Sequence, residues 1–340
     1  MVKNCIDRRS LCAALLTIGF LVLLSGLYTW RQPSRTQAAG LAQAAPLPQA
    51  SATPLSLFLP VVHQSQSTPT PTPTPTVSPT PTATPDSNQL RCNPTGGSGG
   101  LAAGTHDVTL AGRPATIIVG EGYDPATPTF LAYYLHGDGG NYQFHANTNN
   151  VVNTFIRQNG WIYVAPQAPA ASEGYHPWHG PSGIPSPEAD ANLQLIADVL
   201  DAMFAQYNVC RDVVFGSGAS GGAWFYDAYW FPNRGGEYPA FTILNCGASG
   251  INSGSGSRYT KLQTLSQNPE IVRRSEFQYT IGTQDFLHDE ALISVQTISA
   301  LGFSVSTEYL EGVTHCAYST STKTRDYWQQ KSAGLSLSDK

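Results

Sequence analysis

Charge is scarce in this sequence. Asp, Glu, Lys and Arg make up 12% of the residues, the formal net charge is −5, and no basic cluster runs along any segment. Phosphate backbones are gripped by grouped Lys and Arg, so nucleic acid is not expected as a partner. Signs of a bound cofactor or metal are missing too. The stretch His136-Gly137-Asp138-Gly139-Gly140 lacks the Gly-Lys-Ser/Thr ending of a phosphate loop, and His136 and Asp138 have no further ligands at useful spacing. No cofactor and no metal are expected.

Composition divides what is there into three parts. In residues 1–31, Lys3, Arg8 and Arg9 precede an apolar run from Leu11 to Trp30. This is an export signal, either cleaved as a signal peptide or retained as an anchor, and its basic flank places the remaining chain outside the cytoplasm. The expected location is extracellular or at the cell surface, with membrane contact only through that anchor. Residues 32–90 are a Pro/Thr-rich linker containing "STPTPTPTPTVSPTPTATP". Repeated proline removes backbone donors and threonine offers little apolar surface, so this part is an extended spacer that does not fold alone. Its apolar patch "LSLFLPVV" has no derivable role. Residues 91–340 have the size and composition of one folded domain. Of six cysteines, Cys5 and Cys12 fall in the first part. Cys92, Cys210, Cys246 and Cys316 remain for two disulfides in an oxidising compartment.

Apolar runs bounded by turn residues predict strands at 116–119, 130–135, 161–165, 213–216, 241–245, 277–282 and 303–309. The clearest helix is 189–207, where Leu193, Ile196, Ala197, Leu200 and Phe204 share one face; others are expected at 223–230, 290–300 and 322–330. Alternating strands and helices imply an α/β fold whose mostly parallel sheet carries helices on both faces, with chemistry at the carboxyl ends of the strands. Roughly thirty residues separate the strands at 241–245 and 277–282, too few for a large lid.

Gly218-Ala219-Ser220-Gly221-Gly222 fits the G-x-S-x-G pattern of a serine on a tight strand-to-helix turn. The same pattern at Gly96 to Gly100, around Ser98, lacks a flanking strand and helix and reads as a flexible loop. A serine hydroxyl needs a base and an orienting carboxylate to act as a nucleophile. After Ser220 come His288 and His315. His315 follows a separate strand and is the better base, and Asp285, directly after the strand ending near Gly282, is the better acid. Asp289 and Glu290 look like the first turn of a helix, with Asp289 as the reserve. Backbone N–H groups of Gly221 and of the glycine-rich loop at Asp138 would form an oxyanion hole. Tyr175, Trp178 and His179 sit in a proline-rich loop, where Trp178 and His179 are candidate substrate contacts and packing under the loop is the rival reading. Trp224 and Tyr226 read as core.

Taken together, L-H-G-x-G-G, G-x-S-x-G-G, G-T-x-D and a final G-x-x-H-C resemble an α/β-hydrolase. More narrowly, residues 110–328 resemble secreted feruloyl and acetyl-xylan esterases and polyhydroxyalkanoate depolymerases. The resemblance implies an exported serine esterase acting on feruloyl, acetyl or polyester-type esters, on plant polysaccharide or polyester, through an acyl-enzyme. It assigns Ser220 as nucleophile, His315 as base and Asp285 as its orienting acid. A serine peptidase of the same fold and a non-catalytic cell-surface binding module are the alternatives. Some feruloyl esterases and tannases pair a cysteine before the nucleophile with one after the histidine. Ala219 precludes that bridge here. Strand direction puts Cys246 and Cys316 at one edge and Cys92 and Cys210 at the other, which favours those pairs, although sequence alone leaves three connectivities open.

Overall fold

The computed structural model describes Leu90, residues 92–335 and Leu337. The chain divides into two units, Met1–Ser78 and Pro79–Lys340, and everything described belongs to the second. The export signal, nearly all of the linker and its apolar patch therefore lie outside the described residues. No helix among those described is long and apolar enough to cross a membrane.

Eight strands form one sheet in the order β1-β2-β4-β3-β5-β6-β7-β8. They span Gly104–Leu110, Arg113–Val119, Thr129–Leu135, Ile162–Pro166, Val209–Ala219, Ala240–Asn245, Glu276–Gly282 and Ser304–Leu310. β2 runs antiparallel to β1 and β4, and the remaining pairs are parallel. Central strands β3, β4 and β6 are buried along their whole length, which explains why they read as unbroken apolar runs. β1 was not predicted: its Thr105, Asp107 and Thr109 alternate with more buried neighbours on a sheet edge, leaving no apolar run.

Helices cover both faces. α1 (Val151–Gln158) and α8 (Thr320–Ser332) bury Val152, Phe155, Ile156, Tyr327 and Trp328 against one side. The other side receives α2 (Pro187–Gln206), α3 (Gly221–Phe225), α4 (Phe231–Arg234), α5 (Ser257–Ser266), α6 (Pro269–Arg274) and α7 (His288–Ala300). α2 begins where Ser186 caps the Ala189 N–H at 3.1 Å and Pro187 occupies the first turn. α5 buries Leu262 alone and so shows no apolar stripe in the sequence.

The helix expected at 223–230 is interrupted by a π turn at Tyr226–Trp230. This widened turn carries Asp227, whose buried carboxylate accepts bonds from the Ser249 N–H (2.8 Å) and the hydroxyls of Ser249 (2.7 Å), Ser294 (2.7 Å) and Tyr279 (2.8 Å). Helix regularity yields there to a polar knot joining the loop after β6, strand β7 and helix α7. Between β6 and β7 the chain makes only a 3₁₀ turn, α5 and α6, with α5 packed on α4, and none of these lines the cavity beside Ser220.

Two disulfides close, Cys92–Cys210 and Cys246–Cys316. The first lies at the start of β5, where Thr95 N–H bonds Val209 O and Arg211 N–H bonds Asn93 O, zipping the entry segment onto the strand. The second joins the residue after β6 to the residue after His315, at the carboxyl edge, in agreement with the strand-direction argument.

Candidate active site

Ser220 stands at the end of β5, in the middle of the sheet, with φ 50° and ψ −121°. A non-glycine residue with positive φ is strained, and here both sides of the turn enforce it. Its N–H is held by Asn245 O at 3.0 Å. A Cβ at Gly218 would meet Ala223 Cα at 2.7 Å, and one at Gly222 would overlap the Leu135 carbonyl. Small residues are therefore required where β5, α3 and β3 converge.

Ser220 Oγ lies 2.9 Å from His315 Nε2, and His315 Nδ1 lies 2.9 Å from each oxygen of Asp285. Asp285 follows β7 and His315 follows β8, so loops leaving the carboxyl ends of β7 and β8 reach across β6 to the serine at the end of β5. The Asp285 side chain is 0% exposed and also accepts the Leu287 N–H at 2.9 Å. Because a carboxylate only accepts, His315 carries its proton on Nδ1 when neutral and offers the Nε2 lone pair to the serine. Asp289, the reserve acid, points outward from the first turn of α7 with its side chain 92% exposed, touching His288 rather than His315. Ser98 is exposed in an irregular segment.

The glycine-rich loop after β3 folds over this turn. Gly137 packs so closely that a Cβ there would stand 3.3 Å from Ser220 Cβ, and the Asp138 side chain lies against Gly221. Asp138 N–H donates to no protein carbonyl among the described residues. Beneath the loop, His136 uses both ring nitrogens: Nδ1–H donates to Gly137 O at 2.7 Å and Nε2 accepts the Ala168 N–H at 3.0 Å. His176 N–H bonds Asp138 O at 2.7 Å.

Trp178 is not a substrate contact. Its ring is fully buried, and Nε1 donates to His136 O at 2.9 Å, so it braces the loop from below. An indole this large in a tight loop finds its partner in the interior, the packing alternative that sequence could not separate. His179 does line the cavity, a space of about 310 Å³ bounded also by Asp138, Ser220, Gly221, Trp224, Phe286 and Leu287. Trp224, read from sequence as core, is half-buried and forms one wall. Phe286 was missed: 72% exposed, it lies over the His315 ring with centroids 4.4 Å apart. Its signal was an aromatic residue next to the acid in a loop. Tyr318, also missed, donates to Thr280 O at 2.6 Å and accepts the Cys246 N–H at 3.0 Å, tying the His315 segment to β6 and β7. Among the described residues no three His, Cys, Asp or Glu side chains converge as a metal site.

Burial holds His136 down to about 4 and His145 down to about 3, against an ordinary histidine near 6.5. Both rings stay neutral in the fold while the unfolded chain takes up protons as pH drops through about 6.5, so stability falls with pH in that window and levels off below the folded values. From pH 7 to pH 5 each should remove on the order of 2 kcal/mol. Urea denaturation at the two pH values checks this, with His145→Phe expected to lose markedly less. An equal loss in that variant would rule out burial of His145 as a cause.

Strand order, with a serine turn after β5, an acid after β7 and a histidine after β8, defines the α/β-hydrolase fold. No protein-family model and no curated protein matches the sequence. Among solved structures, the chain is similar to the S-formylglutathione hydrolase FrmB of Staphylococcus aureus, with 16% identity over 68% of this chain and 97% of that one and a TM-score of 0.49. The fluorophosphonate-binding serine hydrolase FphF of Staphylococcus aureus is 15% identical over 69% and 97%, with a TM-score of 0.47. An α/β serine hydrolase without lid from Xanthomonas campestris is 13% identical over 69% and 96%, with a TM-score of 0.45.

Proposed function

We propose that this chain is an exported serine hydrolase that cleaves carboxylic esters through an acyl-enzyme intermediate. The observation that carries the reading is the unbroken line from Ser220 Oγ through His315 to the buried Asp285. Ser220 Oγ bonds to the ester carbonyl carbon as its proton passes to His315 Nε2, and the oxyanion is met by the N–H groups of Gly221 and Asp138. Collapse breaks the carbon–oxygen bond to the alcohol, which leaves with the proton from His315. Water then attacks the acyl carbon, gives its proton to His315, and the acid departs as Ser220 regains its hydrogen.

Export is supported by the basic-then-apolar N-terminal segment and by two disulfides. Ester groups on plant polysaccharide or polyester fit a cavity of about 310 Å³ with an exposed aromatic rim. The full chain should hydrolyse short-chain aryl esters without cleaving the matching amides, and a fluorophosphonate should modify Ser220 alone on peptide mapping. Amide cleavage at a comparable rate would turn the reading to a peptidase. No modification of Ser220 would leave only the binding-module alternative.

A further inference from the structure

Hydrolysis as written uses the backbone of Asp138 and leaves its carboxylate without a task. That carboxylate turns into the cavity beside Ser220, against Gly221. Oδ1 is buried and has no hydrogen-bond partner among the described residues, while Oδ2 stands 3.9 Å from His179 Nε2. His179 donates from Nδ1 to Gly180 O at 2.6 Å. In its neutral form it therefore presents a lone pair, not a proton, on the side facing Asp138. Two acceptors meet at one end of the cavity, and no Lys or Arg is among its lining residues. Burial also raises the Asp138 carboxyl above its ordinary range, opposed by His179 and His315, while 34% of the side chain stays exposed.

A donor atom placed about 2.8 Å from both acceptors would see them at roughly a right angle, close to the spread of two N–H bonds on one nitrogen. A cation gains more than a hydroxyl, because hydrogen bonds to charged partners are roughly twice as strong as neutral ones. Trp224, whose ring lies 5.5 Å from that of His179 and forms the adjoining wall, adds an aromatic surface that favours a cation. An anion at the same point would meet a carboxylate it cannot pair with.

We propose that Asp138 and His179 form an ammonium-selecting subsite next to Ser220. Resting on the ester-hydrolase reading alone, and departing from the polysaccharide or polyester esters named above, this means that the preferred esters carry a primary amine, as its cation, on the group seated in this cavity, and that carboxylate-bearing esters are rejected.

The test needs no turnover. Benzylamine, benzyl alcohol and phenylacetate share one ring and differ in charge, and their Kd values for the full chain can be measured at pH 8 by NMR titration. Benzylamine should bind about tenfold more tightly than benzyl alcohol, and phenylacetate more weakly than both. In Asp138→Asn, which keeps the shape and the main-chain N–H, the advantage of benzylamine should shrink below about threefold; His179→Leu, which removes the second acceptor, should shrink it as well. Equal binding of the three probes to the unaltered chain, or an undiminished preference in Asp138→Asn, would overturn the subsite. The preference without ester hydrolysis would keep the subsite and remove the hydrolase reading, and hydrolysis without the preference would do the opposite.

Discussion

Ser220→Ala should reduce ester turnover on the order of 10⁴-fold or more while the melting temperature changes little, since members of such a set act as a unit. Alanine keeps the Cβ and the backbone of the turn, and only the Oγ that meets His315 Nε2 at 2.9 Å is lost. The hydroxyl contributes almost nothing to packing, so a collapse of the fold would contradict this account. Ser98→Ala, in an exposed irregular segment, should retain full activity. Initial rates on an aryl acetate and a thermal melt of each variant suffice. If the alanine at 98 proved inactive and the one at 220 active, the assignment would be wrong.

Asp285→Asn should lower kcat about 10⁴-fold at neutral pH, nearly as severe a loss. The carboxylate has no solvent contact, accepts His315 Nδ1–H and the Leu287 N–H, and so holds one tautomer of the ring. An asparagine can present its NH₂ to Nδ1, which then turns acceptor and moves the proton to Nε2, where it blocks attack by the serine. Part of the loss should be recovered at high pH, where the serine depends less on a base. Asp289→Asn, on the outward face of α7, should act like the unaltered protein. A pH–rate profile of both variants separates an acid acting through His315 from a merely structural carboxylate.

How far the sequence speaks for itself depends on what burial does to residue choice. β3, β4 and β6 cross the interior buried along their whole length, so they stand out, and the chain order Ser220, Asp285, His315 follows from which strand each terminates. β1 sits on an edge with half its side chains in water, and α5 meets the core through the buried Leu262 and the partly buried Leu265, so neither leaves a periodic trace. At the site, residues that act through covalent geometry were legible, because only glycine tolerates the approach of Leu135 or Ala223 to the turn. Residues that act through position alone were not. Trp178 stands in a proline-rich loop and Trp224 in α3, yet the candidate substrate contact faces His136 O in the interior and the residue read as core faces the cavity. That choice is made by tertiary packing, which local spacing does not encode.

The left-handed backbone at Ser220 has a further meaning for how such a chain evolves. Backbone strain of this kind costs about 1–3 kcal/mol, and glycine, which populates positive φ freely, would relieve it at that position. Selection for stability alone would therefore drift toward glycine at 220, while selection for a presented hydroxyl holds serine in place. Serine at φ 50° marks a residue kept against the preference of its own backbone.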